Sequence, residues 1–181
     1  MQPFSVLENV LERPEILAGE ERPAGLGRAG LLGYFAGTLG VFTFLRMFSA
    51  VPPGAMSFMV VLTLLLAFNY FLASSIHLFM DFTGARGSAA RLFLAFGLSD
   101  YFLALLVPLA FFAKLQLLNA FLWFCLCLLV VFYARTRLVR RLYPVSTNKA
   151  LLSIWLPYAG LGAVVFTVGV YSIAWLVWLI V

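Results

Sequence analysis

The chain has 181 residues, 64% of them hydrophobic and only 10% charged, with a net charge of +5. An ordinary soluble domain carries roughly 25% charged residues, so this composition cannot cover a water-facing surface, and lipid must be the solvent for most of the chain. The basic residues cluster beside apolar runs, with no zinc-finger or RNP signature, which points to membrane topology and excludes nucleic acid as a partner.

Residues 1–29 form a segment of their own, beginning "MQPFSVLENVLERPEILAGEERPAG". It has no basic start and no early apolar run, so it does not read as a signal peptide. Phe4, Leu7 and Leu11 recur at helical spacing before Pro14, which predicts a short amphipathic surface helix. Glu8, Glu12, Glu15, Glu20 and Glu21 make the segment acidic.

Residues 30–181 read as one transmembrane domain, an all-α polytopic helical bundle. Its five transmembrane helices fall at about 31–48, 56–80, 92–113, 117–133 and 157–180. The last apolar run begins near Ala150 and is too long for one span; Pro157 predicts a break, with a short interfacial turn before it. Five spans put the N-terminal segment on the same side as the second and fourth loops. That side carries Arg13, Arg22, Arg28, Arg86, Arg91, Arg135, Arg137, Arg140, Arg141 and Lys149, against Arg46 and Lys114 opposite. The asymmetry predicts a cytoplasmic N-terminus and an external C-terminus, in a bacterial cytoplasmic membrane.

Small residues mark two candidate helix-packing segments: Gly33 and Gly37 in a GxxxG spacing of the first span, and Gly160 and Gly162 in the fifth. Packing within the chain is the simpler expectation, and a homo-oligomer contact the alternative. The four arginines Arg135, Arg137, Arg140 and Arg141 follow the apolar run "FLWFCLCLLVVFYA" and read as a loop cluster contacting anionic lipid head groups or a protein partner.

No catalytic constellation stands out. Ser74, Ser75 or Ser99 can be set on paper with His77 and Asp81 or Asp100, but no nucleophile-elbow glycines surround them. His77 and Asp81 are four apart and share a helix face, yet two ligands make no zinc site; an interfacial hydrogen bond between them is expected. "GARGSAAR" lacks the Walker lysine and the Rossmann glycine pattern. Cys125 and Cys127, two apart, point in different directions and read as small core residues. No cofactor or metal is expected.

The candidate intramembrane polar residues are Asp100, Asn69 and His77. One reading starts the third span near Leu98, which puts Asp100 in a first turn where the helix dipole favours it. Asn69 or His77 would then be its hydrogen-bond partner, and the stripe Gly97, Asp100, Ala104 would face protein. The other reading places Asp100 deep in the membrane, on a polar path with Asn69, Arg46 and the fifth span, as in a small transporter, channel or lipid-translocating protein.

The stretch "HLFMDFTGARGSAARLFLAFGLSDYFLALLVPLAFF", together with "LERPEIL" before five spans, resembles the Yip family (Ypt/Rab-interacting membrane proteins), in particular its bacterial members. The family pattern is a span ending in a Gly-x-x-Gly-Ser type of loop, then a small and apolar segment leading into a proline-containing span. The resemblance implies a non-enzymatic membrane-organising or trafficking-type adaptor with a cytoplasmic N-terminus. Eukaryotic members bind prenylated Rab GTPases. This chain lacks their "DLYGP"-type motif and long N-terminal domain, so the resemblance carries over neither a small GTPase partner nor any catalytic residue.

Overall fold

In lipid every backbone N–H and C=O must be satisfied within the protein, and a helix does this within one segment. The computed structural model of the chain describes residues 25–180 and is helical, with no strand among them. The helices are α1 (Leu26–Met47), α2 (Ala55–Phe82), α3 (Ala89–Asp100), a 3₁₀ stretch (Tyr101–Leu105), α4 (Leu106–Lys114), α5 (Ala120–Leu142) and α6 (Thr147–Ile180). With α3, the 3₁₀ stretch and α4 taken as one span, five helices are long and apolar enough to cross a membrane. The expected N-terminal amphipathic helix lies outside the described residues.

The third span is interrupted because of Pro108. Its nitrogen cannot donate to the Ala104 carbonyl, and its ring crowds that carbonyl, so the preceding turn tightens to 3₁₀. Pro157 has no such effect. α6 runs unbroken through it for 34 residues, contrary to the expected break.

α1 and the third span run parallel along a seam of glycines. A methyl group on Gly33 would overlap the Gly97 carbonyl, one on Gly30 the Leu94 carbonyl, one on Gly40 the Leu103 carbonyl, and one on Gly97 the Gly30 carbonyl. Gly37 rests on the backbone and Cβ of Asp100. The small residues therefore allow backbone-to-backbone contact between spans of one chain. Tyr34 closes the seam by donating its hydroxyl to the Phe93 carbonyl at 2.5 Å. Gly160 and Gly162 are different: outside their own helix backbone, no atom of the described residues lies within 4 Å of where their Cβ would be. The reason is the course of α6. Only Ala150, Ser153, Ile154 and Pro157 are buried, and every residue from 159 to 180 is exposed.

Between α2 and α3 the chain reverses over a few residues. Gly84 adopts φ +78°, a left-handed conformation that suits glycine. Gly87 serves close approach instead, because a side chain there would overlap the ring of Tyr143. This turn, the start of α1 and the α5–α6 turn lie at one end of the bundle. The described residues Arg28, Arg86, Arg91, Arg137, Arg140, Arg141 and Lys149 gather there, while Arg46 and Lys114 lie at the other end.

Candidate functional site

Asp100 is the last residue of α3, eleven positions beyond Ala89. At ~1.5 Å per residue that is roughly 17 Å from the start of the helix, far beyond its first turn. The expected first-turn placement is therefore wrong: the helix starts at Ala89, capped by the Ser88 side chain, which accepts from the Arg91 amide. The stripe Gly97, Asp100, Ala104 does face protein, on the α1 seam.

A carboxylate at this depth needs compensation. Its principal partner is Arg135, whose Nη2 donates to Asp100 Oδ1 at 2.7 Å in a salt bridge with both side chains buried. The same Nη2 donates to Asn69 Oδ1 at 2.5 Å, Nε donates to Ser99 Oγ at 3.1 Å, and Nη1 donates to the Tyr158 hydroxyl at 3.3 Å. Asn69 Nδ2 in turn donates to Asp100 Oδ2 at 3.2 Å and to the Leu65 carbonyl. The Phe96 ring covers the guanidinium, 4.8 Å from its centroid to Cζ.

Four spans donate side chains to this cluster: α2 through Asn69, the third through Ser99 and Asp100, α5 through Arg135 and α6 through Tyr158. The remaining span, α1, presses Gly37 against Asp100. All five spans thus meet at one ion pair. Among the described residues, no buried side-chain nitrogen or oxygen lacks a hydrogen-bond partner, and Asp100 itself is 0% exposed.

Of the residues singled out from sequence, Asp100 and Asn69 do meet. Arg135 does not belong with its neighbours: α5 continues to Leu142 rather than ending near Tyr133, so Arg135 is an intramembrane residue and not a lipid-contacting loop arginine. Arg137, Arg140 and Arg141 are exposed, as expected of such a cluster. A signal for the difference exists in the sequence. Cys127, Val131, Arg135, Leu138 and Leu142 are spaced four, four, three and four apart, a single helical stripe, and all are buried. The other three arginines fall off that stripe. Tyr158 and Ser99 as ligands of Arg135 carry no comparable signal.

His77 does not join Asp100. Its Nδ1 lies 2.8 Å from the Tyr143 hydroxyl, a partner from the far end of α5 in place of the expected Asp81. Tyr143 is fully buried, and burial, followed by the charge of Asp81, raises the pKa of its hydroxyl above the ordinary tyrosine value. Lys149 reinforces this end by donating Nζ to the Thr83 carbonyl at 3.1 Å.

The Ser99 hydroxyl, one of the serines considered as a nucleophile, donates to the Phe96 carbonyl at 2.6 Å while accepting from Arg135. No group of three His, Cys, Asp or Glu residues that could hold a metal occurs among the described residues. Comparison with protein-family models, curated proteins and solved structures finds no match. The functional reading therefore rests on the geometry of the chain itself.

Proposed function

We propose that this chain is a non-enzymatic membrane-organising protein, an adaptor of the Yip type, which presents its basic end to the cytoplasm of a bacterial cell. The observation that carries this reading is the convergence of all five spans on the Asp100–Arg135 pair, enclosed and fully hydrogen-bonded. A transport path needs its polar groups to reach water in at least one state. Here they are spent on joining helices, which suits a protein acting through its surfaces rather than through its interior.

A second reading has one observation in its favour. The 3₁₀ stretch begins immediately after Asp100, and a mid-span 3₁₀ segment often marks a hinge. In that reading the ion pair is the closed state of a small transporter.

Reconstitution separates the two. Proteoliposomes loaded with a pH-sensitive dye should show no proton flux above protein-free vesicles, and purification from native membranes should recover the same protein partner repeatedly. A proton flux above that of protein-free vesicles, abolished by an Asp100→Asn variant that remains folded at the assay temperature, would replace the adaptor with the transporter.

A further inference from the structure

The outward face of α5 has the profile of a phospholipid. Starting at the basic end and moving inward, Arg137, Tyr133, Val130 and Leu126 follow at spacings of four, three and four, so they form one stripe. All four are exposed, Tyr133 at 58%. Arg140 continues the stripe by three residues on the other side and is exposed as well.

The order of chemistry along this stripe is specific. Arg140 lies in the last turn of α5 and Arg137 about one turn further in, with a side chain long enough to reach toward the phosphate level. The Arg137 guanidinium lies over the Tyr133 ring, with Cζ 5.2 Å from the centroid, which fixes the cation against the helix. Below Tyr133 the surface is aliphatic. From Arg137 to Leu126 is eleven residues, about 17 Å, against roughly 15 Å for one leaflet of the hydrocarbon core. Charge, aromatic ring and apolar track thus match one lipid in one leaflet.

We infer that this stripe is a binding site for a single anionic phospholipid, its phosphate on Arg137 and Arg140 and an acyl chain along Tyr133, Val130 and Leu126. The site is independent of the adaptor reading, since a transporter would carry it equally well. It differs from general attraction of a basic end to an anionic leaflet, because it assigns affinity to α5 and not to exposed arginines elsewhere, such as Arg86 in the α2–α3 turn.

The full chain is reconstituted into vesicles of equimolar phosphatidylglycerol and phosphatidylcholine, re-extracted in non-ionic detergent, and its retained lipid measured by mass spectrometry. Phosphatidylglycerol should be enriched over phosphatidylcholine. Arg137→Gln with Arg140→Gln should lower that enrichment by about fivefold per arginine, while Arg86→Gln leaves it unchanged. Tyr133→Leu alters no charge and should also lower it. Inorganic phosphate added during extraction should not displace the lipid.

Equal retention of the two lipids, an Arg86→Gln loss as large as that of the double variant, or displacement by phosphate overturns the site. So does unchanged retention in both the arginine and the Tyr133 variants. All these side chains are exposed, so the variants should melt within a few degrees of the parent. If the double variant unfolds, Tyr133→Leu with the phosphate competition decides.

Discussion

Arg135 reaches across from α5 to place Nη2 2.7 Å from Asp100 Oδ1 on α3, and neither side chain has appreciable contact with solvent. Each charge makes the other tolerable. Removing one partner of a buried pair typically costs about 3–5 kcal/mol, because the survivor is left uncompensated, whereas replacing both can be nearly neutral. Arg135→Leu should therefore lower the melting temperature in detergent sharply. Asp100→Leu combined with Arg135→Leu should recover part of the loss. A double variant no more stable than the worse single one would mean that the pair is not the unit of stability.

The Arg135 contact also changes what Asp100→Asn should do. Considered alone, asparagine keeps the size and acceptor capacity of aspartate. Opposite a buried guanidinium it removes the counter-charge of the Arg135 salt bridge. Asp100→Asn should thus destabilise, though less than Asp100→Leu, since its carbonyl can still accept from Arg135. Thermal melts of the two variants check the order. Asn69→Leu, which strips an acceptor from Nη2 and a donor from Asp100 Oδ2, should fall between Asp100→Asn and Arg135→Leu.

The glycine seam predicts a position effect. Gly33→Ala and Gly97→Ala each put a methyl group into a facing backbone carbonyl, which cannot move aside as a side chain would. Both should destabilise strongly, and Gly33→Val more so. Gly160→Ala and Gly162→Ala meet no other helix among the described residues and replace glycine with a better helix former, so they should be neutral or slightly stabilising. Melting temperatures of the four alanine variants, measured side by side, test the contrast.

Much of the fold is legible in the sequence because lipid imposes simple rules. Length and apolarity gave five helices, and the spacing of Gly33 and Gly37 marked a real packing face. Failures came where one local signal was set against a longer-range one. Arg135 follows an apolar run and so resembles a loop residue, yet it shares a stripe with Val131 and Leu138, and the helix continues past it. Asp100 resembles a first-turn acid only if the span starts near Leu98, whereas Ser88 caps a helix that starts at Ala89. Pro157 reads as a breaker by its chemistry, yet α6 runs through it unbroken, whereas Pro108 is preceded by a 3₁₀ turn. The pairing of Asp100 with Arg135, 35 residues apart, is tertiary and has no local sequence signature.

Orientation can be checked through single cysteines in a background lacking Cys125 and Cys127. Gly54, in the α1–α2 turn, and Thr147, at the start of α6, lie at opposite ends of the bundle. Basic residues favour the side facing the cytoplasm, so a cysteine at Gly54 should react with an impermeant thiol reagent applied to intact cells and one at Thr147 should not. Labelling of Thr147 alone would invert the protein and place its basic end outside.

The His77–Tyr143 contact predicts a dependence on alkaline pH. Tyr143 closes the basic end, its ring against Gly87 and its hydroxyl 2.8 Å from His77 Nδ1. Burial is the main reason its pKa is raised, with the negative charge of Asp81 adding to it. A group whose pKa is higher in the folded state binds its proton more tightly there. Its contribution is therefore complete below the unfolded tyrosine value of about 10 and is lost as pH rises beyond it. Stability should hold with respect to this group up to that point and then decline. Tyr143→Phe keeps the ring over Gly87 but removes both the hydroxyl and its proton, so it should cost about 1 kcal/mol at neutral pH for the lost hydrogen bond. Its stability should also fall less steeply than that of the parent above pH ~10. Chemical denaturation of both proteins at neutral and strongly alkaline pH measures the difference, and parallel pH profiles would show that the Tyr143 proton is not linked to folding.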